Sequence, residues 1–70
     1  MRIGQVVQET GLSASTLRYY EREGLVAVAR DEAGRRLYDA QDVSWIRFLQ
    51  RLRATSMPIG LMRRYAKLRK

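Results

Sequence analysis

Ile3, Val6, Val7 and Thr10 recur at i, i+3, i+4 and i+7 in an otherwise polar run, which predicts one face of a short amphipathic helix. Gly11 stops the run, because glycine takes positive φ at little cost. The "GLS" segment reads as a three-residue turn, with Ser13 placed to N-cap a second helix from about Ala14 to Glu23. Gly24 ends that helix. Two short helices across so brief a turn, over about residues 3–23, make a helix-turn-helix pattern. The pattern is only moderately specific, since many helical hairpins share it.

The period then changes. Val26 and Val28, then Leu37 and Tyr38, flank the polar centre "RDEAGR", in which Gly34 can serve a tight turn. This predicts a small β-hairpin, a wing, over about residues 25–38. Strands so short are stable only when packed on helices. Asp39 is set to N-cap a longer helix over about 40–55, with Asp42 at the capping-box position. Val43, Ile46, Leu49 and Leu52 give it a broad apolar face, with Trp45 and Phe48 read as core beside them. Arg47, Arg51 and Arg53 lie off that face. Pro58 suits the first turn of a fourth helix over about 58–69. There Leu61, Met62, Tyr65 and Leu68 form an apolar stripe expected to close the core. The expected fold class is mostly α with a small β-hairpin, about four helices plus a two-stranded wing, in one domain of 70 residues.

Composition narrows the chemistry. The sequence has no Cys and no His, which removes disulfides, thiolate metal sites, thiol nucleophiles and the commonest general base and zinc ligand. No cofactor or metal is expected. Asp, Glu, Lys and Tyr remain, with no convergent pair that would make an enzyme. No segment approaches the roughly 18 apolar residues of a membrane span, and nothing marks a leader, so a cytoplasmic setting is expected. The formal net charge is +7, from 14 basic and 7 acidic residues, a balance that favours a polyanionic partner over a mere solubility effect. The charge is uneven: residues 1–29 hold three Arg and three Glu, residues 30–42 three Arg and four acids, and residues 43–70 eight basic groups and no acid. Any contact made by the nearly neutral second helix must therefore be specific rather than Coulombic.

On that helix neighbouring side chains point about 100° apart. Tyr20 and Glu21 flank the inward face of Leu17, while Ser15, Arg18, Tyr19 and Arg22 share an outward face at i, i+3, i+4 and i+7. A hydroxyl, two guanidiniums and a phenol are donors suited to base edges and phosphates. The competing reading is a partly buried surface tyrosine with arginines paired to Glu9 or Glu23. Arg35, Arg36 and Tyr38 on the wing are read as phosphate contacts, against a hairpin that uses charge to blunt its edge. The basic faces of the last two helices leave three options open: a solvated surface, a phosphate-contacting shoulder, or a membrane-surface helix.

The segments "GLSASTLRYYEREGL" and "GRRLYDAQDVSWIRFLQRLRATSMPIGLM" resemble the DNA-binding domain of the mercury-resistance-regulator (MerR) family over nearly all 70 residues. The specific part runs from Leu17-Arg18-Tyr19-Tyr20-Glu21 through Gly24-Leu25. Arg36-x-Tyr38 and Asp42 fall where the family has R-x-Y and D. Val28 stands where the family usually has proline, Arg35 where it has tyrosine, and "SMP" where it has a glycine-aromatic-serine turn.

The resemblance implies a winged helix-turn-helix with a second, helical wing, in a bacterial transcription regulator. The full-length protein would bind a pseudo-palindromic promoter operator on double-stranded DNA as a homodimer, and would distort it so that RNA polymerase engages the promoter. Carried over to this sequence, Arg18 and Tyr19 would enter the major groove, with Ser15, Thr16 and Tyr20 nearby. Arg36 and Tyr38 would hold phosphates from the first wing. Arg53 and the turn around Ser56 would approach the backbone at the second. The family's dimerisation helix and effector region are not within these residues, so the 70-residue chain is expected to be mostly monomeric. The rivals are an excisionase-like architectural DNA-bending protein and a basic protein-interaction or membrane-surface module.

Overall fold

A computed structural model describes residues 1–69. The elements run α1 (Ile3–Thr10), α2 (Ala14–Arg22), β1 (Ala29–Arg30), β2 (Arg36–Leu37), α3 (Ala40–Ala54) and α4 (Ile59–Leu68). Together they form a winged helix-turn-helix.

Local chemistry sets the boundaries. Gly11 takes φ 76° and its N–H donates to the Val7 carbonyl, closing α1. The Ser13 hydroxyl accepts from the Thr16 N–H at 3.1 Å, opening α2. At the far end of α2, Gly24 takes φ 76°. The Leu25 N–H reaches back to the Tyr20 carbonyl and the Gly24 N–H to that of Glu21. That is the Schellman pattern, with buried Leu25 and Tyr20 supplying its apolar contact. Asp39 and Asp42 form the expected capping box on α3, each carboxylate accepting the other's N–H, at 2.7 and 3.0 Å.

The core draws on every helix and on the wing: Val6, Leu17, Tyr20, Leu25, Val26, Tyr38, Val43, Ile46, Leu49 and Met62. α1 packs on both α2 and α3. Later helices also satisfy the exposed carbonyl ends of earlier ones. Arg47 and Gln50 on α3 donate to the carbonyls of Glu9 and Thr10, ending α1. Arg63 on α4 donates to the Glu23 carbonyl, ending α2. Cations there also complement the negative end of the helix dipole. The Trp45 indole N–H donates to the Leu25 carbonyl at 2.7 Å, fastening the start of the wing to α3.

Two expectations need correction. Val26 and Val28 do not enter the ladder, which pairs only Ala29 with Leu37 and Arg30 with Arg36, antiparallel. Val26 is taken by the core and the Leu25 carbonyl by Trp45, so only the tip of the segment is free to pair. The stripe on α4 does not close the core either: of its four residues only Met62 is buried, while Leu61, Tyr65 and Leu68 are exposed. Ile59, Met62 and Ala66, at i, i+3 and i+7, are the partly or fully buried positions. The apolar band read from the sequence lies one face away. Phe48 is likewise only half-buried, its ring lying between Trp45 (5.3 Å) and Tyr65 (6.0 Å). No helix is long and apolar enough to cross a membrane among the described residues.

Candidate nucleic-acid interface

Burial of Leu17 and Tyr20 fixes the rotation of α2. Ser15, Arg18 and Arg22 are therefore exposed and Tyr19 half-buried on the outward side. The Arg22 guanidinium sits 5.6 Å from the centre of the Tyr19 ring, a cation–π contact within that face. Thr16 is half-buried and tied into the helix start, its hydroxyl accepting from Ser13 at 3.0 Å.

The acids that might have neutralised this face are engaged elsewhere. Glu9 takes Arg47 at 3.2 Å, Glu23 takes Arg63, and Glu21 takes Arg36 at 2.7 Å and Arg30 at 3.4 Å. Among the described residues, no carboxylate pairs with Arg18 or Arg22. Their donors face solvent.

The wing lies along one edge of α2, on the side of Glu21. Its turn is built on Asp31, whose carboxylate accepts the N–H of Ala33 at 2.9 Å and of Arg35 at 3.0 Å. Gly34 takes φ 80° to close it. The bond from Arg35, helped by the Arg2 guanidinium and the Ala33 N–H, holds the Asp31 carboxyl below its usual range against the effect of desolvation.

Tyr38 differs from expectation. Read from sequence as a phosphate contact, it is 1% exposed and part of the core. Its hydroxyl is buried without a hydrogen-bond partner. Burial pushes this phenol's pKa up, with the Arg36 cation acting in the opposite direction. The cause is positional: Tyr38 leaves the hairpin just before α3, where its N–H bonds the Met1 carbonyl and its ring must turn under the helices.

Tyr20, which helical spacing turns toward the core beside Leu17 and which only the family resemblance set near the groove, is buried at 3% exposed. Burial raises its phenol, partly offset by the nearby Arg53 cation. Tyr20 thus supports Tyr19 from beneath, their ring centres 6.4 Å apart. Arg53 itself is exposed near the end of α3, close enough to Tyr20 of α2 to act on its phenol. The turn that follows carries Ser56 at φ 64°, a left-handed conformation unusual for a residue with a side chain. α2 therefore has wing arginines at Glu21 and the Arg53 cation near Tyr20.

Arg2 and Arg30 carried no assignment in the sequence reading, and the structure brings both to the wing. Their partners lie 29 and 9 residues away, Asp31 and Glu21, and no local spacing signals the first of these contacts. Among the described residues, no three Asp, Glu, His or Cys side chains gather as a metal site.

A family model described as MerR HTH family regulatory protein matches residues 1–68. The chain is 44% identical over 69 residues to the HTH-type transcriptional regulator AdhR of Bacillus subtilis, covering 97% of this chain and 49% of that protein. It is 42% identical over 59 residues to the HTH-type transcriptional regulator HmrR of Rhizobium leguminosarum, covering 84% and 46%. A solved MerR family transcriptional regulator from Listeria monocytogenes is similar with a TM-score of 0.91 at 36% identity, covering 97% of this chain and 52% of that one. HiNmlR, a MerR family regulator lacking the sensor domain and solved bound to promoter DNA, is similar with a TM-score of 0.88 at 37% identity, covering 94% and 53%. The chain spans about half the length of the curated relatives it matches.

Proposed function

Because the chain belongs to the MerR HTH family of regulatory proteins, we propose that it binds duplex DNA sequence-specifically, as the DNA-reading part of a bacterial transcription regulator. In this reading α2 enters the major groove, with Ser15, Arg18, Tyr19 and Arg22 toward the bases and adjoining phosphates. The observation that carries the reading is the charge economy around α2: its neighbouring carboxylates are held by the wing and by α4, which leaves Arg18 and Arg22 free to donate. Arg can fork onto the O6 and N7 of guanine, and Tyr can set its ring against a thymine methyl or a sugar. Arg36 from the wing, and Arg53 with the Ser56 turn from the end of α3, hold the backbone and set register. The DNA-bound state of HiNmlR, similar over most of this chain, supports the assignment.

In the whole protein we place two such units on a pseudo-palindromic operator, as a homodimer that distorts the promoter for RNA polymerase. Phosphate contacts supply affinity, and DNA deformation supplies the regulatory output.

Titration of a duplex selected from a random library, against a scrambled duplex, tests the reading at several salt concentrations. Arg18→Ala is expected to cost about 1–3 kcal/mol on the selected duplex and to relax base preference. Arg36→Ala is expected to weaken both duplexes alike and to flatten the salt dependence. Equal losses on both duplexes for Arg18→Ala would remove its base-reading role.

A further inference from the structure

Four arginines meet beside the wing, three from the hairpin itself and one, Arg2, from far earlier in the sequence. Arg2 precedes α1, Arg30 and Arg36 face each other across the ladder, and Arg35 leaves the hairpin turn. With Ile3 and Gly34 they line a cleft of about 470 Å³. Two carboxylates hold them in place. Asp31 takes Arg2 at 2.6 Å and Arg35 at 3.5 Å, and Glu21 takes Arg36 at 2.7 Å and Arg30 at 3.4 Å. Backbone carbonyls complete the frame, that of Arg36 accepting from Arg2 and that of Gly34 from Arg30, at 3.3 and 3.2 Å.

We propose that Arg2, Arg30, Arg35 and Arg36 form one anion cradle that takes a backbone phosphate of duplex DNA, next to the groove entered by α2. The proposal deepens the DNA-binding reading and rests on it. Four guanidiniums against two carboxylates leave an excess of two positive charges in the cleft. Each guanidinium carries five N–H donors in a fixed fork, and the contacts above use only one or two of them. The remaining donors are available to phosphate oxygens. The carboxylates and carbonyls already hold the guanidiniums, so part of the ordering cost of binding is met before a phosphate arrives. Glu21 lies on α2, three residues after Arg18, which ties the cradle's position to the base-reading face. Arg2 is the new element: it makes the start of the chain part of the DNA surface.

The experiment combines salt titration with neutralisation of single phosphates. Binding of the chain to a library-selected duplex and to a scrambled one is measured over a range of salt. Methylphosphonate is then placed at each flanking backbone position of the selected duplex in turn. Arg2→Gln and Arg35→Gln are each expected to lower the salt slope by about one and to weaken both duplexes alike. Arg2→Lys should retain the slope. One methylphosphonate position should weaken wild type several-fold and have little further effect on the Arg2→Gln/Arg35→Gln double variant. Circular dichroism and thermal melting establish that each variant is folded, and the phosphate scan on wild type stands without any variant. An unchanged slope in folded variants, or no flanking phosphate whose effect depends on Arg2 and Arg35, would overturn the cradle while leaving DNA binding intact. Absence of saturable duplex binding by wild type would overturn the DNA-binding reading itself, and the cradle with it.

Discussion

Tyr19, Tyr20 and Tyr38 share a side chain and differ in what surrounds it. Tyr19 is half-buried on the outward face of α2, Tyr20 lies in the core beneath it, and Tyr38 is enclosed under the helices. The first two could be separated from sequence, because adjacent helical residues point about 100° apart and Leu17 marks the inward direction. Tyr38 could not, since it follows a two-residue strand whose facing is decided by what packs on it. Its unpartnered hydroxyl leads to a prediction. An unsatisfied buried hydroxyl costs roughly 1–3 kcal/mol, so Tyr38→Phe should leave stability unchanged or raise it by about 1 kcal/mol. Duplex affinity should not change. Urea midpoints and a duplex titration check both, and a loss of affinity would mean that the hydroxyl reaches the backbone after all.

Among the elements, the wing depends most on side chains outside itself. A two-residue ladder has little stability of its own. The hairpin is held by Asp31 within its turn and by Arg2 and Glu21 from beyond it. The Asp31 carboxyl is held below its usual range in the folded chain, chiefly by the Arg35 N–H. Its contribution to stability is therefore present above the ordinary carboxylate range and is lost as pH falls through the depressed value. The protection of the Ala33 and Arg35 amides, taken as exchange by NMR relative to the intrinsic rate at each pH, should fall on acidification through that window. Asp31→Asn should flatten the dependence. The turn residues Asp31 and Gly34 were legible as turn chemistry. The position of the strands was not, because Val26 could equally have joined the ladder and was drawn into the core instead.

For the whole molecule, α4 is held to the rest by few contacts. Met62 is its one fully buried residue among those described, and Arg63 ties it to the end of α2. Met62→Ala should cost about 2–5 kcal/mol, a large share of the stability of a small domain. Thermal unfolding measures the loss, and a change under 1 kcal/mol would show that α4 contributes little to the core. The excess of basic residues after residue 42 also divides at this scale. Arg47, Arg63 and Arg69 pair with Glu9, Glu23 and Asp42 and serve the fold. Arg53 has no such partner among the described residues and lies near Tyr20 of α2. Net charge alone does not distinguish these two groups.

The sequence by itself determined what local chemistry controls: the two-helix hairpin, the caps at Ser13 and Asp39, the glycine stops and the outward side of α2. In each case the cause lies within a few residues of its effect. Tertiary structure decided how the charges are shared. Glu21 could have paired along its own helix, and instead it holds two arginines of the wing. Asp31 reaches back across 29 residues to Arg2. The band of Leu61, Tyr65 and Leu68 became surface because the neighbouring face of α4 met the core first. Pairings of this kind depend on which surfaces are brought together by packing, and helical period and residue type are silent on that.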